Sequence, residues 1–306
     1  MKWYQMKEQA AGEKRLMILW YIYNLLGKNV VCFVVYFVAF FAFCFSAEIR
    51  KYTKKNLTVI YEYTKNKKSK PTLINRYKNV LNYALSLVDR MESYTKNFPV
   101  EKIKFDNINE KEKIVQILKE NTGVFFICTH TGNIDIMRSF IDSPKNSVNP
   151  HVNIFLSENH CKIFNNFLKK IQAKTDTSLF PVEQIDINTS IELKEKADRG
   201  DIIFIAGDRI SAGTPNVTAK TRFLNHDFDL PAGTFKLAQL MEIPVYFVCA
   251  LKDKNDTYTI YFDRFIENKD LKKSQNLKNM YEQYTNFLEK MADTAPLQFY
   301  HFYDLF

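Results

Sequence analysis

The sequence predicts an α/β fold with a mostly parallel central sheet flanked by helices, preceded by an N-terminal membrane-associated helical segment. Short β-branched or aromatic runs alternate with segments of helical periodicity over most of the 306 residues, which predicts the fold class. The N-terminal segment is predicted because residues 29–47 carry no charge and hold six phenylalanines. With 46% hydrophobic residues, the chain is long enough to bury a sizeable core.

The N-terminal segment contains two apolar runs. Residues 16–26 are almost wholly apolar, Gly27-Lys28 interrupts the pattern, and residues 29–47 form the second run. In helical form the second run is about 28 Å long, close to the thickness of a bilayer's hydrocarbon core. Aromatic residues typical of a membrane interface are Trp3, Tyr4, Trp20, Tyr21 and Tyr23.

Basic residues flank both apolar runs. They are Lys2, Lys7, Lys14 and Arg15 before the runs, and Arg50, Lys51, Lys54 and Lys55 after them. A single crossing would leave one basic flank on the outer side, so the pattern favours a shallow hairpin or a pair of interfacial helices with both ends in the cytoplasm. A buried hairpin of a soluble protein is the alternative. A cleaved signal peptide is disfavoured because Glu8 and Glu13 precede the apolar block.

The remaining elements follow in a regular order. Helices are predicted at 72–94, 114–118, 134–141, 161–171, 190–199, 233–241 and 271–290, and strands at 124–128, 152–156, 179–182, 202–206, 245–250 and 258–262. This alternation is typical of a mostly parallel sheet. Ligands of such sheets bind at the carboxyl ends of the strands.

His130 follows the first of these strands. The buried run Val124–Cys128 ends in a small polar turn that holds His130, and Asp135 lies in the first turn of the helix that follows. A carboxylate that accepts a hydrogen bond from Nδ1 of a histidine leaves Nε2 to take a proton from a hydroxyl. We therefore predict a general base at His130 oriented by Asp135, with a histidine that only caps a strand-to-helix loop as the alternative.

A second polar cluster follows the strand at 202–206. This strand ends in Gly207-Asp208-Arg209, and we expect Asp208 and Arg209 to pair with each other or with substrate. A structural ion pair beside a turn is the alternative. Further along, Lys220-Thr221-Arg222 places two cations beside an apolar pair, and a guanidinium there suits a phosphate group.

Charge and cysteine usage limit the class of protein. The net charge of +9 predicts acidic partners, such as anionic lipid, phosphorylated substrates, an acidic carrier protein or nucleic acid. The five cysteines are scattered and mostly lie in apolar runs, which predicts reduced core residues in a cytosolic compartment. Cys128, two residues before His130, is interpreted as a buried core residue in preference to the nucleophile of a thiol hydrolase.

Together these motifs resemble the lysophospholipid acyltransferase superfamily, most closely the branch related to the late acyltransferases of lipid A biosynthesis. His130 to Asp135 is similar to the family's H-x-x-x-x-(D/E) signature, and Gly207-Asp208-Arg209 to the G-D-R element of this bacterial branch. Three later segments, 223–238, 243–245 and 295–303, resemble further family blocks, with Asn225 in place of a glycine and Phe299 in place of a tryptophan. The resemblance covers nearly the whole chain.

The resemblance implies a glycerol-phosphate-acyltransferase-like fold in which His130 deprotonates a hydroxyl or amine acceptor while Asp135 orients the imidazole. The acceptor then attacks the carbonyl of an acyl thioester, without a metal, a cofactor or a covalent acyl-enzyme. Backbone N–H groups from Thr131 to Asn133, or a nearby cation, are expected to stabilise the oxyanion. The predicted substrate-binding residues are Asn133, Asp208, Arg209 and Arg222.

The resemblance also implies partners and a location. The donor is expected to be an acyl carrier protein or coenzyme A thioester, and the acceptor a membrane lipid or glycolipid such as a lipid A precursor. The enzyme would act at the cytoplasmic face of the inner membrane. We expect a membrane-associated segment with a basic linker at residues 1–70 and an acyltransferase domain at residues 71–306.

Other functions fit parts of the pattern. A lysophospholipid or glycerolipid acyltransferase would carry the same histidine motif, and a non-catalytic membrane lipid-binding protein would keep the pocket without the chemistry. A nucleic-acid partner is not expected, because the positive charge is spread along the chain and no recognised binding module is present.

Overall fold

The computed structural model describes residues 13–94, 98–141, 148, 150–171 and 177–306. Trp3, Tyr4, Lys2 and Lys7 of the predicted interfacial segment lie outside these residues. The helices are α1 (Glu13–Phe45), α2 (Ala47–Thr64), α3 (Leu73–Tyr94), α4 (Ile108–Lys119), α5 (Ile136–Ile141), α6 (Glu158–Lys170), α7 (Ile187–Ala197), α8 (Ala232–Met241) and α9 (Lys273–Thr294). The strands are β1 (Ile103–Phe105), β2 (Val124–Gly132), β3 (Val152–Leu156), β4 (Thr177–Pro181), β5 (Ile202–Ala206), β6 (Thr218–Phe223), β7 (His226–Pro231), β8 (Val245–Lys252) and β9 (Tyr258–Arg264).

Seven strands form one central sheet in the order β1-β9-β8-β2-β5-β3-β4. All neighbours in this sheet are parallel except β8 and β9, so the predicted mostly parallel α/β fold is confirmed. Strands β3, β4 and β5 lie on one side of β2, whereas β8 and β9 lie on the other. The direction of winding therefore changes at β2, and ligand sites of α/β proteins form at such a point.

The core has two layers because side chains alternate across the sheet. In β2, Phe125 and Ile127 pack into the layer shared with α8 and α9, while Phe126 and Cys128 pack into the layer shared with α4 and α5. All of these side chains are buried, which fixes β2 as the central strand of the domain.

The antiparallel hairpin of β6 and β7 stands apart from the central sheet. The hairpin is not among the predicted elements, because its strands are polar on alternate positions and lie between two segments that follow the expected order. Phe223 and Phe228 of the hairpin are buried in the core layer that contains α9.

The predicted interruption at Gly27-Lys28 is a kink inside α1, where Gly27 has a non-helical φ of 78° and ψ of 171°. The part of α1 from Met17 to Phe45 is long and apolar enough to cross a bilayer. Its buried side chains form a single stripe of Val31, Val35, Ala39 and Phe43, which packs against α3. The other sides of this helix are exposed.

Gly123 and Gly233 provide a matched test of packing. A Cβ at Gly123 would lie 2.6 Å from the carbonyl oxygens of Ala197 and Asp201, whereas a Cβ at Gly233 in α8 would meet nothing within 4 Å. We expect Gly123→Ala to lower the free energy of unfolding by about 2 kcal/mol, because backbone must shift. Gly233→Ala should raise it by up to about 1 kcal/mol, because alanine favours a helix. Urea unfolding in detergent measures both, and equal midpoints would contradict the packing described at Gly123.

Candidate active site

Strand register brings His130 and Asp208 together. β2 and β5 are parallel neighbours, and Cys128 is the partner of Ala206 in their register. His130 and Asp208 each lie two residues further on, so their side chains meet at the same edge of the sheet. Nδ1 of His130 lies 2.6 Å from Oδ1 of Asp208.

The Asp208 carboxylate is the centre of this cluster and its side chain is only 1% exposed. Its Oδ2 atom accepts hydrogen bonds from the backbone N–H of His130 at 2.6 Å and from the hydroxyl of Thr129 at 2.7 Å. Nε2 of His301 lies 3.4 Å from the same oxygen. A buried carboxylate with this many donors stays ionised, since each of them stabilises the charge.

The predicted contact between His130 and Asp135 is wrong. The carboxylate at Nδ1 of His130 belongs to Asp208, and no hydrogen bond joins His130 to Asp135 in the described part of the chain. Oδ2 of Asp135 instead lies 2.6 Å from Nε of Arg90, which comes from α3. The cause is the backbone: β2 runs on to Gly132, so His130 lies within a strand that faces β5 and not in a turn beside α5.

A bulge at the end of β2 shapes the backbone around His130. The pairing of β2 with β8 shifts between Cys128 and Gly132, and such bulges redirect side chains. Gly132 has a φ of 74°, and a Cβ there would lie 2.1 Å from the carbonyl oxygen of Ala250. Only glycine fits at this position.

Asn133 anchors this bulge to its surroundings. Its buried side-chain amide donates to the carbonyl oxygen of Ser86 in α3 at 3.0 Å. Its backbone N–H donates to Ala250, and the backbone N–H of Thr131 donates to the Thr129 hydroxyl. Two of the N–H groups that were predicted to stabilise an oxyanion therefore already have acceptors inside the protein.

The two predicted arginines differ in their placement. Arg209 donates to the carbonyl oxygen of Tyr300 at 2.9 Å, and its guanidinium lies 5.6 Å from the ring of Tyr303. Arg209 therefore belongs to the cluster around Asp208. Arg222 donates to the carbonyl oxygen of Asn225 in the turn of its own hairpin and makes no described contact with His130 or Asp208.

His301 and Tyr303 are site residues that the sequence analysis missed. The ring of His301 lies 6.2 Å from that of His130, between centroids, and Nδ1 of His301 lies 2.7 Å from the Tyr303 hydroxyl. Since Nε2 of His301 faces the Asp208 carboxylate, Nε2 carries the hydrogen and Nδ1 accepts one from Tyr303. Both residues lie in the closing element at 295–303, whose resemblance to a family block was the one sign in the sequence that they belong to the site.

Electrostatics keep the imidazole of His130 neutral at pH 7. Burial and the positive charge of Arg209 lower the pKa of His130 to about 4, although Asp208 acts in the opposite direction. Burial opposes ionisation of Asp208, but the charge and hydrogen bonds of His130 and His301 hold its pKa well below its usual value. Burial also lowers the pKa of His301. The site therefore combines a carboxylate with two neutral imidazoles.

Nε2 of His130 is available for chemistry. Nδ1 is held by Asp208, about a third of the side chain is exposed, and Nε2 makes no hydrogen bond among the described residues. An imidazole whose Nδ1 hydrogen is held by a carboxylate can accept a proton at Nε2. Cys128 and Cys249 lie nearby but are buried, and burial raises the pKa of both thiols, so neither is an activated nucleophile. The described residues contain no cluster of histidine, cysteine and acidic side chains that would hold a metal ion.

Comparison with known proteins identifies the family. A search of curated proteins finds no match. The family model described as bacterial lipid A biosynthesis acyltransferase matches residues 12–306. This match covers nearly the whole chain, including α1, β2 with His130, β5 and the closing segment with His301. The chain therefore belongs to the bacterial lipid A biosynthesis acyltransferase family.

Proposed function

We propose that the protein transfers a fatty acyl chain from an acyl thioester to a hydroxyl or amine of a lipid or glycolipid acceptor, such as a lipid A precursor. The observation that carries this proposal is the His130–Asp208 pair at the carboxyl end of the central strand, in which Nε2 of His130 makes no hydrogen bond among the described residues. The donor is an acyl carrier protein or coenzyme A thioester, both of which are acidic and suit a chain of net charge +9.

In the proposed mechanism the acceptor hydroxyl donates its proton to Nε2 of His130 as its oxygen attacks the thioester carbonyl carbon. The carbon–sulfur bond then breaks, and the imidazolium of His130 returns the proton to the leaving thiolate. Asp208 holds the ring and stabilises the imidazolium that forms between these steps. Arg209 supplies positive charge for the oxyanion, because the backbone N–H groups of Thr131 and Asn133 are already engaged.

The other predicted site residues have supporting roles in this proposal. Asp135 pairs with Arg90 of α3, and this guanidinium is proposed to join Arg209 in binding a phosphate-bearing substrate. Asn133 fixes the bulge that carries His130 to α3. Arg222 makes no described contact with the His130–Asp208 cluster, so we propose that it binds a part of the substrate that is distant from the reacting atoms. The reaction takes place at the cytoplasmic face of the inner membrane, where both the carrier thioester and a lipid acceptor are present.

His130→Ala tests the proposed base. We expect acyl transfer to fall by at least about a hundredfold, since general-base catalysis contributes that much or more. Mass spectrometry of a glycolipid acceptor incubated with acyl carrier protein and coenzyme A thioesters measures the product and identifies the donor. Unchanged urea unfolding of the variant controls for folding. Wild-type turnover in His130→Ala would remove this residue from the mechanism, and no product from the unmodified protein would favour a lipid-binding role.

Asp208→Asn and Asp135→Asn compare the two carboxylates. We expect Asp208→Asn to lower kcat at least about a hundredfold, because the amide no longer holds Nδ1–H of His130 or stabilises the imidazolium. Asp135→Asn should mainly raise KM, since it loosens Arg90, with kcat changed by less than about tenfold. Steady-state kinetics at pH 7.5 measures both variants. The reverse order of kcat values would show that Asp135 is the orienting carboxylate during turnover.

His301→Phe tests a positioning role for His301. Loss of its hydrogen bond leaves more of the Asp208 charge to act on His130, so the pKa of His130 should rise from about 4 towards its ordinary value. The base is active when neutral, and kcat/KM should therefore begin to fall at a higher pH than in the unmodified enzyme. His301→Gln, which keeps a donor, should restore the profile. An equal loss of kcat/KM at every pH would indicate a structural role only.

A further inference from the structure

We propose that α1 lies parallel to the membrane plane in one leaflet of a bilayer that contains anionic phospholipid. The side of α1 opposite α3 is inserted into the acyl-chain region of that leaflet. This inference rests on the proposed function only in taking the enzyme to act at a membrane. It adds the orientation of the protein on that membrane, which neither the length nor the composition of α1 decides.

The packing of α1 argues against a helix that spans the bilayer. After the kink, the stripe of Val31, Val35, Ala39 and Phe43 follows α3 turn by turn, against Val80, Leu81 and Val88. If this part of α1 spanned the bilayer, α3 would have to cross it as well. The other side of α3 holds Ser86 and Arg90, which contact the active site, so the catalytic domain would be pulled into the hydrocarbon.

A salt-bridge cluster fixes α1 to the domain at the kink. Nζ of Lys28 lies 3.0 Å from Oδ1 of Asp89 and 2.6 Å from Oε2 of Glu92, both on α3. Asp89 also pairs with Lys252 and accepts a hydrogen bond from the Tyr258 hydroxyl. Separation of α1 from α3 would leave the buried carboxylate of Asp89 without one of its cations, which is costly.

The part of α1 before the kink also stays with the domain. It contacts α6, and the hydroxyl of Tyr23 donates to Glu92 at 2.8 Å. Both halves of α1 therefore lie along the protein surface, and each exposes large apolar side chains. The most exposed large side chains of α1 are Leu25, Phe45, Phe33 and Tyr21, which are 82%, 81%, 64% and 61% exposed.

The surroundings of these exposed side chains favour an anionic leaflet as their partner. Lys51 and Lys54 of α2, the helix that directly follows α1, are exposed, and such cations bind anionic headgroups. Leu73 and Ile74 are each 66% exposed and add apolar surface at the start of α3, the helix that packs against α1. Apolar side chains on three sides of α1 fit a helix embedded in lipid better than one that pairs with a second protein along a single stripe.

Depth-dependent fluorescence quenching tests the orientation. Phe33 and Phe40 are 64% and 50% exposed and lie seven residues apart, on the same side of the helix. Each is replaced by tryptophan, one at a time, in the full-length protein with Trp3→Phe and Trp20→Phe. The variants are reconstituted into phosphatidylcholine and phosphatidylglycerol vesicles that carry lipids brominated near the headgroup or near the chain end. Vesicles without bromine provide the control.

We expect both tryptophans to be quenched at the same depth. A spanning helix would separate them by about 10 Å along the membrane normal, and that result would overturn the proposal. Absence of quenching at both positions, with the protein still bound to vesicles, would overturn it too, because a protein partner would then cover these side chains. Acyl transfer is measured on the same samples. Equal depths in inactive protein would contradict the proposed function alone, and unequal depths in active protein would contradict the orientation alone.

Discussion

The architecture of the site depends on one buried charge, the carboxylate of Asp208. In a low-dielectric interior this charge is stable only because hydrogen bonds surround it. Its donors come from two parts of the chain: His130 and Thr129 at the end of β2, and His301 in the closing segment. The register between β2 and β5 brings the first two residues to Asp208. The position of the imidazole of His130 is therefore a consequence of how a central strand and the last residues of the chain satisfy Asp208.

The helix α3 connects this site to α1 and its exposed apolar side chains. One side of α3 packs against the buried stripe of α1, and the other side contacts the site through Ser86 and Arg90. Asn79 of α3 also donates to the carbonyl oxygens of Leu297 and Phe299, which fixes the segment leading to His301. With α1 in a leaflet, a single helix would separate the lipid from the catalytic cluster. An acceptor lipid would then reach His130 without leaving the membrane surface.

The sequence predicted six of the seven strands of the central sheet, but not the three-residue strand β1. It also placed His130 at the carboxyl end of β2, because buried strands leave strong apolar runs that are followed by polar residues. It did not predict the partner of His130. The distance of five residues between His130 and Asp135 is local information, whereas the approach of Asp208 depends on register between strands that are far apart in the chain. The hairpin and α2 were missed for a related reason: their buried side chains, such as Phe228 and Ile60, pack against distant elements and form no long apolar run.

The position of Asp135 away from Nδ1 of His130 also affects the charge balance of the site. A carboxylate at Nδ1 favours the imidazolium, whereas burial and Arg209 favour the neutral ring, and the neutral form prevails at pH 7. One carboxylate therefore suffices to orient the base while leaving it unprotonated. If Asp135 also bonded to the imidazole, a second negative charge would raise the proton affinity of His130 and remove its basic form at lower pH values. Asp135 pairs with Arg90 instead, so its negative charge is compensated by a guanidinium.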